Sequence, residues 1–137
     1  MTRFSAATPT ERRKLVVDAI TAHRERASAF CTLQADIERG TAEDDSEREL
    51  ESPPWIQFGN RTLNLDCTDE ELERLKGLLQ EFPAFKIEQL ESPEDADGTN
   101  VRISAKADAN RIAQFVERAF REVYGCSESV TVWAVEV

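Results

Sequence analysis

Lysine is the scarcest charged residue in this sequence, and acidic residues outnumber basic ones. Only four of the 17 basic residues are lysines, whereas aspartate and glutamate together number 27, so the formal net charge is −10. Such a charge causes self-repulsion in dilute buffer but is largely screened in molar salt, where the Debye length falls to about 3 Å. We interpret the acidic residues as the solvated coat of a protein adapted to high salt. A nucleic-acid mimic, a docking surface for a basic partner and an ordinary acidic protein are the alternatives.

Cysteine is also scarce and long apolar runs are absent, which argues against two classes of protein. Cys31, Cys67 and Cys126 are odd in number and include no C-x-x-C pair, which argues against a secreted disulfide framework and against a zinc site. No run approaches the roughly 18 apolar residues of a membrane span, and residues 1–5 lack the apolar core of a signal peptide. The sequence therefore predicts a cytoplasmic protein without a membrane segment.

Signatures of catalysis and of cofactor binding are absent too. There is no G-x-S-x-G, no P-loop and no G-x-G-x-x-G. The single histidine, His23, extends an apolar helix face and has no evident partners for a metal site. Residues 95–100 contain a D-x-D-G run but lack the terminal acid of an EF-hand loop, so they predict a hairpin turn. We therefore assign no catalytic, cofactor-binding or metal-binding residue.

Cys67 is the best candidate for a reactive thiol. It lies at the end of a predicted strand, one residue before the Thr68 helix cap, and a helix N-terminus can lower the pKa of a thiol. Its alternation with Leu63 and Leu65 points it into the core, however. We interpret Cys67 as a buried structural cysteine, and a thiol-dependent enzyme that uses Cys67 is the weaker alternative.

Capping signals, alternation and helical periodicity divide the chain in the order α-β-β-β-α-β-β-α-β. Capping boxes at Thr8–Glu11 and Thr68–Glu71 open the first two helices, and Asp108 caps the third. Gly59-Asn60, between two apolar runs, predicts a tight hairpin with the glycine at positive φ. The predicted strands are 30–35, 55–58, 62–67, 85–90, 101–106 and 130–137.

This element order predicts an α+β fold. From about residue 62 to the end, the order β-α-β-β-α-β is that of a ferredoxin-like βαββαβ core with helices on one face of an antiparallel sheet. A helix at 9–25 and a β-hairpin extend this core on the amino-terminal side. We expect one α+β domain over 1–137, with a mobile acidic loop at 38–54.

The last predicted strand is apolar on both of its sides, and a strand of that kind needs cover on both faces. Helices supply one cover, and the second comes either from the N-terminal helix and hairpin or from a second subunit. Tryptophan is enriched where protein surfaces meet, although both tryptophans could equally fill the core. The candidate interface consists of Trp55, Trp133, Val135 and Val137.

With no chemistry assigned, we expect a non-enzymatic protein-binding or regulatory module that forms a homodimer and binds an unidentified protein partner. A nucleic-acid or ribosome-associated protein is the alternative. Arg12 and Arg13 lie on the predicted solvent face of the first helix, and the run Arg12-Arg13-Lys14 could contact phosphate, but Glu11 and Asp18 flank it. Strands 62–67 and 101–106 also lack the aromatic residues on which the RNA-binding version of this fold stacks bases. Nucleic acid is therefore the less favoured partner.

Three segments resemble a known group of proteins. Leu63–Leu72, Phe82–Phe85 and Phe120–Gly125 resemble uncharacterised small acidic proteins of haloarchaea, and the similarity covers nearly the whole chain. That family has no known function. The resemblance therefore implies a cytoplasmic, salt-adapted protein and implies no activity.

Overall fold

The computed structural model describes residues 5–26, 31–35, 54–59, 61–92, 98–127 and 130–136, and of 23–26 and 135–136 it describes the backbone alone. Within these ranges a layer of helices packs on one face of a seven-stranded antiparallel sheet. The α+β class predicted from the sequence is thus confirmed. Nearly all of the predicted acidic loop, residues 38–53, lies outside the described residues.

The predicted elements are present in the predicted order, with one short strand added at the start. The bounds are β1 Ser5–Ala6, α1 Pro9–Arg26, β2 Cys31–Ala35, β3 Trp55–Gly59, β4 Thr62–Cys67, α2 Asp69–Leu79, β5 Phe85–Glu91, β6 Thr99–Ala105, α3 Ala109–Arg118, a π-helical turn Ala119–Val123, and β7 Val132–Glu136.

Side-chain caps start the helices where the sequence placed them. Thr68 and Glu71 form the predicted capping box, in which the Glu71 amide donates to Thr68 Oγ1 at 3.2 Å and the Thr68 amide donates to Glu71 Oε1 at 2.9 Å. Asp108 Oδ1 accepts from the Arg111 amide at 2.8 Å. Gly125 follows the π-helical turn with φ of +72°, the left-handed conformation that ends helices at glycine.

The strand order is β1-β7-β2-β3-β4-β6-β5, with every pair antiparallel. The order β4-β6-β5 is that of the predicted ferredoxin-like core, but the core's last strand, β7, does not lie beside β4. Strands β2 and β3 intervene, so the ferredoxin-like order is not confirmed. The reason is competition for one edge: β2, β3 and β4 pair consecutively, which occupies the edge of β4 that β7 would use. Strand β7 therefore pairs with β2 instead.

The core lies between the sheet and the helices. Helix α3 is central: Ile112, Phe115 and Val116 are buried, and it packs against α1 on one side. The π-helical turn that continues α3 packs against α2. Three phenylalanines close one end of the core, with ring centroids 5.2 Å apart for Phe82 and Phe115 and 4.9 Å apart for Phe85 and Phe115. The inward positions of the strands alternate with outward ones, as strand geometry requires.

The β3–β4 hairpin is present, but its glycine plays a different role from the predicted one. Gly59 is the last residue of β3 and pairs with Thr62, whose hydroxyl donates to the Gly59 carbonyl at 2.7 Å. Asn60 lies outside the described residues. The positive φ described in this turn, +58°, belongs to Arg61. The prediction that Gly59 supplies the left-handed residue is therefore wrong, because the strand pairing extends one residue further than the sequence indicated.

We expect Arg61→Gly to stabilise the fold by about 0.5–1 kcal/mol. A non-glycine residue in the left-handed region is disfavoured by about 1–2 kcal/mol, which glycine avoids at the expense of its greater freedom in the unfolded chain. Urea unfolding at fixed KCl concentration measures the change. Arg61→Ala is the matched control, because it removes the same side chain and keeps the strain. Equal stabilisation by both variants would contradict this account of the turn.

Candidate functional site

All three helices lie on the same side of the sheet, so the opposite side has no described element packed on it. Helix α1 packs on α3 and on β2 and β7, and α2 packs on β4 and on the π-helical turn. We call the opposite side the open face. By strand register and alternation the side chains on this face include Ser5, Thr32, Gln34, Trp55, Gln57, Thr62, Asn64, Asp66, Lys86, Gln89, Glu91, Asn100, Arg102, Ser104 and Trp133.

Both tryptophans of the chain lie on the open face, on either side of one glutamine. Gln34 of β2 is directly opposite Trp55 of β3 and directly opposite Trp133 of β7. Because neighbouring strands are about 4.8 Å apart, the two tryptophan backbones are about 10 Å apart. Both side chains are partly exposed. The result is a row of two aromatic side chains and a glutamine across three adjacent strands.

A polar row runs beside the tryptophans. Gln57 donates from Nε2 to Thr32 Oγ1 at 3.3 Å. Asn100 donates from Nδ2 to Asn64 Oδ1 at 2.6 Å and to Asp66 Oδ1 at 2.8 Å. The first bond links outward side chains of β2 and β3, and the other two link outward side chains of β4 and β6. The row therefore consists of two hydrogen-bonded groups side by side.

The open face carries charged side chains of both signs. Lys86 and Arg102 are basic, and Asp66 and Glu91 are acidic. The whole chain carries −10. The open face therefore offers both signs of charge in a chain whose net charge is strongly negative.

Two of the four predicted interface residues can be located on this surface. Trp55 and Trp133 lie on the open face. Three strands separate β3 from β7 in the sequence, but only β2 lies between them in the sheet. Of Val135 only the backbone, in β7, is described, and Val137 lies outside the described residues. Sequence reasoning missed Gln34, although the alternation of residues 30–35 was visible, because nothing local showed that β2 lies between β3 and β7.

Cys67 is buried, as the alternation of β4 predicts. It is 2 % exposed and lies near Tyr124, whose hydroxyl donates to the Asp66 carbonyl at 2.6 Å. Burial, together with a smaller contribution from the Glu71 carboxylate, raises the pKa of the Cys67 thiol to about 12. Burial likewise raises the pKa of Cys31 to about 11. Neither thiol carries an appreciable thiolate fraction at neutral pH, so the position at the helix start does not activate Cys67.

We expect iodoacetamide to label Cys126 long before Cys67 in the folded protein. Cys126 is partly exposed, and the raised pKa alone lowers the thiolate fraction of Cys67 about a thousandfold. Mass spectrometry of peptides at pH 8 gives the order of labelling, and urea-unfolded protein is the control in which all three thiols react at similar rates. Labelling of Cys67 faster than free cysteine would revive the thiol-enzyme alternative.

No metal site emerges from the described residues. Across them there is no group of three or more His, Cys, Asp or Glu side chains that could hold a metal ion. The side chain of His23 lies outside the described residues, so its predicted place at the edge of the core stays a prediction. Among the described helices, none is both long and apolar enough to cross a membrane.

An ion pair is buried between α1 and α3. Arg12 donates from Nε to Glu117 Oε1 at 2.6 Å and from Nη2 to Glu117 Oε2 at 2.8 Å, and its Nη1 donates to the Val130 carbonyl at 2.8 Å. Arg12 is 1 % exposed and Glu117 is 4 % exposed. The placement of Arg12 on the solvent face of the first helix is therefore wrong. The guanidinium joins two helices to the segment that leads into β7.

Comparisons with known proteins add a family and no activity. A search of curated proteins and a search of solved structures each found no match to this chain. A scan of family models matched one model, described as a family of unknown function (DUF7975), over residues 1–137. The match covers the entire chain, as the sequence resemblance to an uncharacterised family suggests. The chain belongs to this family of unknown function, DUF7975.

Proposed function

We propose that this protein is a non-enzymatic, salt-adapted binding module of the cytosol that acts as a homodimer through its open face. The observation that carries the proposal is the row of Trp55, Gln34 and Trp133 on that face. Tryptophan offers a large contact area with few rotatable bonds and is enriched in interfaces. A haloarchaeal origin, which the composition and the sequence resemblance favour, belongs to the same proposal.

The size of the open face supports a stable interface. Seven strands spaced about 4.8 Å apart give a width of about 29 Å, and strands of this length give a face of roughly 500–600 Å². A standard protein–protein interface buries about 800 Å² on each partner. The face itself supplies most of that area, and the loops and turns around its rim can supply the remainder.

The charge distribution favours a second copy as the occupant. Two chains of −10 repel each other most strongly where their acidic surfaces meet. Lys86 and Arg102 lie on the open face together with Asp66 and Glu91, so two copies that meet there can pair charges of opposite sign. A two-fold arrangement also lets a basic residue of one copy approach an acidic residue of the other.

Light scattering coupled to size-exclusion chromatography in molar KCl tests the proposal. We expect a mass twice the 15.5 kDa of one chain. Because both tryptophans lie on the open face, their fluorescence should shift to longer wavelength when dilution separates the copies. A mass of one chain at all concentrations, with no such shift, would overturn the dimer. Affinity capture in the same salt, followed by mass spectrometry, would then look for the unidentified protein partner.

The nucleic-acid alternative makes a different prediction in the same salt. Arg102 is exposed on the open face and could contact phosphate. The tryptophans lie on β3 and β7, however, and not on β4 and β6, where the RNA-binding version of the fold stacks bases. Phosphate-driven binding also weakens as the salt concentration rises. Gradient sedimentation of cell extract at native salt separates the two functions. Migration with RNA-bearing fractions, lost after ribonuclease treatment, would favour the alternative over the binding module.

A further inference from the structure

A second candidate site lies on the helical side of the molecule, away from the open face. A cleft of about 540 Å³ is formed by α1, α3 and the segment that follows α2. Its volume is within the range of about 300–1,000 Å³ that is common for small-molecule sites. Arginine dominates its lining, which includes Arg13, Arg111 and Arg118 together with Glu81, Phe82 and Gln114.

Arg111 is held in position without a carboxylate. Its guanidinium carbon lies 4.2 Å from the centroid of the Phe82 ring. Nη1 donates to Gln114 Oε1 at 2.7 Å and Nη2 donates to the Glu81 carbonyl at 3.2 Å. Stacking and two neutral acceptors thus fix the plane of the guanidinium and leave its other N–H groups without a described acceptor. An arginine fixed in this way loses little further entropy when it binds an anion.

Arg13 is the second arginine without a described carboxylate partner. Its Nη2 approaches Thr10 Oγ1 at 3.4 Å, at the long end of hydrogen-bond distances. Arg118, in contrast, is bound on both sides, by Glu81 at 2.9 Å and by Glu122 at 2.6 Å. Among the side chains that the structure describes, Arg13 and Arg111 are therefore the two cleft cations that form no ion pair with an acidic side chain.

The lining of the cleft contains more basic than acidic side chains, unlike the chain as a whole. The buried Arg12 cancels the charge of Glu117, which forms part of the lining. Among the lining side chains, Arg13, Arg111 and Arg118 then face Glu81, and Glu122 and Asp108 lie beside Arg118 and Arg111 outside the lining. The chain as a whole carries −10. A cleft lined by three arginines in so acidic a chain is a place where a small anion meets several N–H donors.

We propose that this cleft binds a small molecule through an oxyanion, a carboxylate or phosphate group held between Arg13 and Arg111. Arginine suits both groups because its planar N–H groups can make paired hydrogen bonds to two oxygens. Gln114 already accepts a bond from Arg111 through its Oε1, so its amide nitrogen can donate to the same ligand. This site is independent of the open face, and failure of the dimer leaves it unaffected.

Thermal unfolding with added pyrophosphate or succinate, at an ionic strength kept constant with KCl, tests the site. At a probe concentration of about ten times Kd, we expect the midpoint to rise by about 5 °C. The rise should disappear in Arg13→Gln and in Arg111→Gln. It should persist in Arg102→Gln, the charge-matched control on the open face. Arg13→Gln remains informative if Arg111→Gln folds poorly, because Arg13 makes the weaker described contacts.

The pattern of responses decides both the site and the ligand. A rise with one probe alone identifies phosphate or carboxylate as the preferred group. No rise with either probe in the wild-type protein would overturn the proposal. An equal rise in all three variants would also overturn it, because the effect would then come from the general field of the protein and not from the cleft.

Discussion

Replacing Arg12 with methionine is expected to destabilise the fold by about 3–5 kcal/mol. The substitution leaves the Glu117 carboxylate, 4 % exposed, without the guanidinium that binds both of its oxygens. The Val130 carbonyl loses its described donor at the same time. A buried charge without a partner is strongly unfavourable, because no water replaces the lost hydrogen bonds. Urea unfolding of the variant and of the wild type in the same KCl concentration measures the difference.

The double variant Arg12→Met/Glu117→Leu is the matched control. Removing both charges removes the unpaired carboxylate, so we expect most of the lost stability to return. The destabilisation in Arg12→Met should also persist when the KCl concentration is raised, because a buried pair is screened little by salt. Glu81→Gln offers the contrast: it breaks the exposed pair with Arg118, and its small effect should fade as salt rises.

Two results would contradict this account of the ion pair. The first is a free energy of unfolding of Arg12→Met within about 1 kcal/mol of that of the wild type, which would mean that the pair is solvated in solution. The double variant could remain as unstable as the single one, which would mean that packing of the arginine stem and its bond to Val130 matter more than the charge. The first result would return Arg12 to the solvent face that its sequence context suggests, whereas the second would leave Arg12 buried but held by packing and by Val130 instead of by Glu117.

The wrong prediction for Arg12 shows that helical periodicity indicates which positions face the core but does not identify a distant ion-pair partner. Arg12 lies four residues before Val16 and eight before Ile20, so it is in register with the apolar stripe of α1. The positional signal for burial was therefore present. The residue type opposed it, because arginine is seldom buried without a partner. That partner, Glu117, lies 105 residues away on α3, and nothing local to either residue indicates the pairing.

The sheet shows the same division between local and long-range information. Capping boxes, alternation and helical periodicity predicted the helices and six of the strands, because each signal depends on residues within a few positions. The two-residue strand β1 has no such signal. The place of β7 also depends on a distant event, the pairing of β3 with β4, which leaves β2 as the available edge. Strand order is thus decided by competition between strands and cannot be obtained from any one segment.

The candidate surface combines a predicted part and an unpredicted part. Trp55 and Trp133 were identified from composition and from the two apolar sides of the last strand, and register now places both beside Gln34. The polar row from Thr32 to Asn100 could not be predicted, since it depends on which strands are neighbours. The arginine cleft depends likewise on the approach of α1 to α3. In the sequence its members are spread from Arg13 to Arg118.

Gln34→Glu is expected to weaken the proposed dimer by about a hundredfold or more. The substitution changes shape little but places a carboxylate between Trp55 and Trp133 in each copy. Burying that charge against aromatic rings without a partner is unfavourable by several kcal/mol, and the two copies bring like charges together. Sedimentation equilibrium in molar KCl gives the dimer dissociation constants of the wild type and of Gln34→Glu, and circular dichroism checks that the variant remains folded.

Gln80→Glu is the matched control for this test, because it makes the same chemical change at an exposed position just after α2, on the helical side. We expect the dissociation constant of the Gln80→Glu dimer to lie within about twofold of the wild-type value, since a remote charge in molar salt is screened within a few ångströms. If Gln34→Glu and Gln80→Glu dimerise equally well, the copies meet on a surface other than the open face. If Gln34→Glu alone becomes monomeric while folded, the glutamine between the tryptophans lies in the contact between copies.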